Sequence, residues 1–182
     1  LFAVPASVGI YVLSEEIISV LFERGEFDKK SSLFTAKALK FYALGLTAFI
    51  LMKIYTPIFF AYENAKPTLY ITAINLVINT VLSVVLFINI GFIGIPIATS
   101  TSAWISILLM NYYLKKNDYY RISKRMILPT TIIIIVSLII YLYLSLLKNY
   151  LGIFINLLQN YEIIFLLFSV LSSILLYFIL IS

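Results

Sequence analysis

Cysteine and histidine are both missing from this chain of 182 residues. Without thiols there is no disulfide and no thiol chemistry, and cysteine usage says nothing about compartment. Without imidazole the commonest metal ligand and general base is gone. Charge is scarce too: Asp, Glu, Lys and Arg make up 12% of the residues, about half the ordinary share. No nucleophile triad, phosphate-cradling glycine loop or metal motif occurs. Nothing in the chain reads as an enzyme.

What the sequence has is apolar. Hydrophobic residues make up 63% of it, against about 45–50% in globular chains, and the mean hydropathy is +1.07. They come in long blocks rather than at amphipathic spacing, which marks an integral membrane protein. Transmembrane strands alternate over about ten residues, whereas Thr131 to Val136 is apolar on every side. Lipid obliges the backbone to satisfy its own hydrogen bonds, so the fold expected is an all-α polytopic bundle. The formal charge of +5 lies in loops, where it reports orientation rather than nucleic-acid binding.

Hydropathy divides the chain into segments. Leu1 to Leu13 is too short to span alone, and it opens in mid-run without an initiator Met or a charged leader. The chain therefore reads as a fragment lacking its N-terminal part. Ser14-Glu15-Glu16 begins a short amphipathic piece, and Glu23 to Lys30 is a polar loop with Gly25 as its turn. A second segment, with Lys37 and Lys40 near its start, becomes apolar from Phe41 to Tyr62 and contains Pro57. Glu63 to Thr68 is a polar turn with Pro67 near the next helix start. Further spans are expected over Thr68–Ile90, Ile95–Leu114, Met126–Leu147 and Tyr161–Ile181, with Lys148–Asn160 as an interfacial element. Residues 1–114 thus form one group of helices, 115–125 a basic loop and 126–182 the last two spans. That loop, with Lys115, Lys116, Arg121, Lys124 and Arg125, marks the cytoplasmic side. Alternation puts Glu63–Lys66 and the C-terminus there too, and Glu23–Lys30 and Lys148–Asn160 opposite.

Lys53 is the first candidate site. A lysine in mid-span costs roughly 2.5–3.5 kcal/mol on insertion scales, so it should face protein or a water-filled cavity. Either it receives an anionic substrate or pairs with an acid, or it is a structural lysine bonded to a carbonyl. Asn75 and Asn79 form a second candidate, since a four-residue spacing puts them on one helical face. Thr72 and Ser83 extend that stripe, and Thr99 to Ser102 answer it from the following span. Amide oxygens, a hydroxyl and a carbonyl freed near Phe92 by Pro96 suit a hard cation such as sodium. The alternative is that these small polar residues hydrogen-bond the helices together. Glu15 and Glu16 read as interfacial, or as part of a proton or cation route. Trp104 reads as packing.

Five stretches together resemble the MurJ/MviN lipid II flippases of the MATE-like polysaccharide exporter superfamily. They are Leu1-Phe-Ala-Val-Pro-Ala-Ser-Val-Gly9, Leu21-Phe-Glu-Arg-Gly-Glu-Phe27, Tyr42-Ala-Leu-Gly-Leu46, Lys53-Ile-Tyr-Thr-Pro-Ile-Phe-Phe-Ala-Tyr62 and Gly94-Ile-Pro-Ile-Ala-Thr-Ser-Thr-Ser-Ala-Trp104. The first, second, fourth and fifth are similar to the family's "LPAAVGL", "LFxRGxF", "VKVLAPxFYA" and "GLALATSxSAW" patterns, and the five cover about residues 1–105. The last two spans match only in hydropathy and position. One departure is Pro67 directly after Lys66, where the family often has Thr-Pro.

The resemblance implies the C-terminal part of a two-lobe MATE-like transporter: about six helices, the first truncated. It implies a multi-pass protein of the bacterial cytoplasmic membrane that carries the undecaprenyl-linked peptidoglycan precursor from inner to outer leaflet. The partners implied are that precursor and membrane lipids, with a single full-length chain, including a missing N-lobe, as the working unit. Lys53 would lie on the cavity-facing lysine of "VKVLAP" and contact the substrate. Asn75, Asn79 and Thr99 would fall at a sodium site, with Ile95 supplying a backbone carbonyl and an acid from upstream of Leu1 completing it. No other cofactor is implied. Alternatives are another MATE-like exporter, of polysaccharide or of cation-coupled drugs, or a non-transporting membrane scaffold. The deep charge is positive, which suits an anionic cargo better than a cationic drug.

Overall fold

A computed structural model describes residues 2–117, 127–155 and 162–181. Among them every regular element is helical: α1 Ala3–Val12, α2 Ser14–Phe22, α3 Lys29–Ala61, α4 Lys66–Ile90, α5 Gly94–Lys116, α6 Ile127–Ile155 and α7 Glu162–Ile181, with a 3-10 turn at Gly91–Ile93. Helices α3, α6 and α7 and the α4–α5 stretch are long and apolar enough to cross a bilayer. Large apolar side chains lie on the outside of the helices, Ile88 and Ile179 each being about three-quarters exposed. In lipid that exposure carries no hydrophobic penalty, because the tails are as apolar as the side chains.

The joints follow from local chemistry. Where the apolar run gives way to Ser14-Glu15-Glu16, the chain bends by 69° between α1 and α2, and the Ser14 hydroxyl donates to the Tyr11 carbonyl at 3.2 Å. Gly25 takes φ +60° in the loop that follows. The Asp28 carboxylate accepts the backbone N–H of Ser31 at 2.8 Å and so caps the first turn of α3. That bond holds the Asp28 carboxyl below its ordinary range. Gly91, at φ +72°, ends α4 in a conformation that costs glycine nothing. A Cβ on Gly94 would stand 2.5 Å from the Leu86 backbone, so the hairpin of α4 and α5 closes only around a residue without a side chain.

Three expectations are corrected. Helix α6 does not end at Leu147 but continues to Ile155. Nothing from Lys148 to Ile155 breaks a helix outright, and Lys148 finds acidic partners that let it stay in one. Pro96 frees no carbonyl, because α5 begins at Gly94 and a proline in a first helical turn lacks only an N–H that had no partner. The Phe92 carbonyl instead accepts the N–H of Gly94. Trp104 is not simply packed: it is partly exposed and its indole donates to the Leu44 carbonyl at 2.9 Å. Most of the basic loop, including Arg121, Lys124 and Arg125, lies outside the described residues, as do Leu1, Gln159, Asn160 and Ser182.

The chain divides into two compact units, Leu1–Lys40 with Arg125–Ser182, and Phe41–Lys124. In the first, Val12, Leu13, Val136, Ile140, Leu144 and Tyr177 make the buried core. In the second, Phe59, Ile71, Met110 and Leu114 form one cluster, and Ala48, Ala103 and Ile107 another. Small residues bring α3 and α5 close there. A Cβ on Gly45 would lie 2.6 Å from the Ser100 hydroxyl, and that hydroxyl donates to the Phe41 carbonyl at 2.6 Å.

Candidate functional site

Helix α3 is 33 residues long and runs unbroken through Pro57. Proline has no N–H to give the carbonyl four residues earlier, which is that of Lys53. One turn of backbone beside the lysine is therefore short of a donor. The neighbouring Thr56 hydroxyl bonds the Met52 carbonyl at 2.8 Å, leaving the Lys53 carbonyl to other partners.

The Lys53 side chain is exposed. It opens onto a groove of about 600 Å³ lined by Phe49, Met52, Lys53, Thr56, Pro57 and Phe60. Apart from Lys53 and Thr56, that lining is apolar. Among the described residues Lys53 makes no ion pair and no side-chain hydrogen bond. With no acid answering it among the described residues, such a cation has the chemistry to receive an anion: a carboxylate or phosphate reaching it would gain a charge-assisted hydrogen bond at low local dielectric.

The polar stripe on α4 meets α5 as the spacing predicts. The Thr99 hydroxyl reaches both the Asn79 side-chain oxygen at 3.3 Å and the Ile95 carbonyl at 2.9 Å. Ser83 also reaches the Asn79 oxygen, at 3.3 Å. Three of the four expected ligands thus share one small network. The fourth, Asn75, lies one turn away, and its side-chain oxygen is buried without a hydrogen-bond partner. Oxygen donors with lone pairs to spare, one of them orphaned, fit a hard cation. Hydrogen-bonded helix glue would account for the Asn79–Thr99 contacts equally well.

Sequence reasoning missed two features of this unit. Thr68 and Asn111, near the opposite ends of α4 and α5, also carry buried oxygens without partners, and nothing in their sequence context announced it. The Ser100 and Trp104 bonds to carbonyls of α3 were hidden because a backbone acceptor leaves no mark in a sequence. In the other unit, Glu15 and Glu16 are ion-paired: Lys40 lies 2.6 Å from Glu15, and Lys148 lies 3.2 Å from Glu15 and 3.0 Å from Glu16.

Comparison with known proteins converges on one family. A family model described as "Lipid II flippase MurJ" matches residues 1–162. A probable lipid II flippase MurJ of Rickettsia prowazekii is 37% identical over 150 residues, which are 82% of this chain and 30% of that protein. One from Rhizobium meliloti is 36% identical over 106 residues, 58% of this chain and 20% of that protein. Among solved structures, a lipid II flippase MurJ in an inward closed conformation aligns with all of this chain and 35% of its own, with a TM-score of 0.78 and 27% identity. The chain spans about a third or less of the length of these relatives.

Proposed function

The chain belongs to the lipid II flippase MurJ family, and from that premise we propose that it is the C-terminal part of a flippase for the undecaprenyl-linked peptidoglycan precursor. The chain is a multi-pass segment of a bacterial membrane protein; the membrane we propose for it is the cytoplasmic one. Full activity belongs to the complete chain with its N-terminal lobe, which supplies the other wall of the cavity.

In this reading the lipid tail stays in the bilayer while the pyrophosphate and sugar headgroup passes through a cavity whose access alternates between the two sides. Lys53 neutralises part of the headgroup charge as a compact point charge rather than a bidentate clamp. No bond of the cargo is made or broken. Asn75, Asn79, Thr99 and the Ile95 carbonyl would hold a sodium ion, whose binding supplies a bias between the conformations.

The observation that carries the proposal is the exposed ammonium of Lys53 in an apolar groove, without an ion pair among the described residues. A cation-coupled drug exporter would need an acid there. A scaffold would have no use for an unpaired cation in a membrane segment, at a cost of roughly 2.5–3.5 kcal/mol. In the full-length parent, Lys53→Ala should abolish rescue of cells depleted of their own flippase, at normal protein level. Normal growth of the rescued cells would remove Lys53 from the mechanism.

A further inference from the structure

Four charged side chains of the first unit form a chain of alternating sign. Lys40 of α3 touches Glu15 at 2.6 Å, Glu15 touches Lys148 of α6 at 3.2 Å, and Lys148 touches Glu16 at 3.0 Å. The two acids stand on adjacent positions of α2, directly after the 69° bend. Three helices are therefore joined at one elbow, and the charges of the four residues sum to zero.

Two features make this more than a static tie. The members are partly open to solvent, with side-chain exposures of 29% for Lys40, 39% for Glu15 and 31% for Lys148. Ion pairs that water reaches are individually weak and can part without stranding a dry charge. The inner members also serve two partners each, and the second oxygen of Glu16 is buried with no hydrogen bond at all. It is a vacant seat, already desolvated, beside an ammonium bound to the other oxygen of the same carboxylate. Lys148 can exchange its two glutamates, or leave Glu15 to Lys40 alone, without losing all charge compensation. Between apolar helices in lipid, packing and polar links set the register, so these links act together with the core of Leu13, Ile140 and Leu144 in seating α6 on the elbow.

We propose that Glu15, Glu16, Lys40 and Lys148 form a releasable charge latch that holds α6 and α3 to the α1–α2 elbow, with Glu15 as the shared pivot. The latch rests on the reading of the chain as part of a transporter that changes conformation, because a molecule with one state needs no release. Lys148 is its moving end and Lys40 its fixed end.

The test is a distance measurement in the full-length parent, cleared of any native cysteine and reconstituted in liposomes without substrate. Spin labels go on Leu21→Cys of α2 and Leu146→Cys of α6, both exposed positions. The latch predicts that Lys148→Met shifts the distance distribution to longer values with a second peak, and that Lys148→Arg restores the parent's distribution. Glu15→Gln, which leaves the Glu16 contact in place, should give a smaller shift of the same sign and serves if Lys148→Met does not fold. Distributions identical to the parent's in the variants that fold would overturn the proposal. Since no substrate is present, this outcome is independent of whether the parent supports growth as a flippase.

Discussion

Two lysines on one helix have opposite circumstances. Lys40 lies in the first unit and is bound by Glu15 at 2.6 Å; Lys53, thirteen residues on in the same α3, lies in the second unit and has no acid among the described residues. In the first unit charge answers charge, and the cluster around the elbow is neutral as a whole. In the second, the polar groups are neutral amides and hydroxyls, and the one cation within the membrane segment is left over. Charge satisfied inside the fold holds helices together; charge left unsatisfied is available to a ligand. The difference follows from partners rather than from residue type, since the two side chains are chemically identical.

The sharpest way to break the packing of the second unit is steric. Gly45→Val would place a Cβ 2.6 Å from the Ser100 hydroxyl and 2.9 Å from its Cα. Overpacking of this kind costs about 1–3 kcal/mol, which should lower the melting temperature of the detergent-solubilised parent by several degrees. An unchanged melt would show that α3 and α5 are farther apart than described.

An effect within the same range is expected at the neutral seam. If Asn79 is a ligand, sodium at a hundred times its dissociation constant stabilises the parent by about 2.7 kcal/mol, and Asn79→Leu should remove that response. A melt that still rises with sodium in the variant would return Asn75, Asn79 and Thr99 to the role of helix glue. The smallest effect belongs to the first unit, at the cap of α3. The carboxyl of Asp28 titrates below its ordinary range because it accepts the Ser31 N–H. Its stabilising contribution is thus present above the unfolded value and is lost as pH falls through the lower, folded one. Asp28→Ala should flatten the acid end of the stability profile slightly, and amide exchange at Ser31 should speed up. Equal exchange in both proteins would exclude the cap.

Much of this was legible in the sequence. The helices, the break in the apolar run at Ser14, the turn at Gly25 and the pairing of the α4 stripe with Thr99 follow from hydropathy and from the four-residue spacing of Asn75 and Asn79. What was not legible depends on contacts between distant positions. Lys148 read as interfacial because its acids lie 133 and 132 residues earlier in the chain, and no periodicity links such positions. For Pro96 the interior-helix rule predicts a freed carbonyl, but the residue stands in the first turn of α5, where no earlier helical carbonyl awaits its N–H. Trp104 was read as packing because its acceptor is a main-chain oxygen, which every residue possesses.

The central claim is that Lys53, and not Lys40, has a charge to spare for an anionic headgroup. It is tested most directly by the affinity of the full-length parent for the lipid-linked pyrophosphate substrate, measured for Lys53→Ala, Lys53→Arg and Lys40→Ala. A charge-assisted hydrogen bond is worth about 1.5–3 kcal/mol, so Lys53→Ala should weaken binding by roughly 10–100-fold. Lys53→Arg should retain most of the affinity, and Lys40→Ala should leave it unchanged. Equal affinities for Lys53→Ala and the parent, or an equal loss from both lysines, would contradict the account.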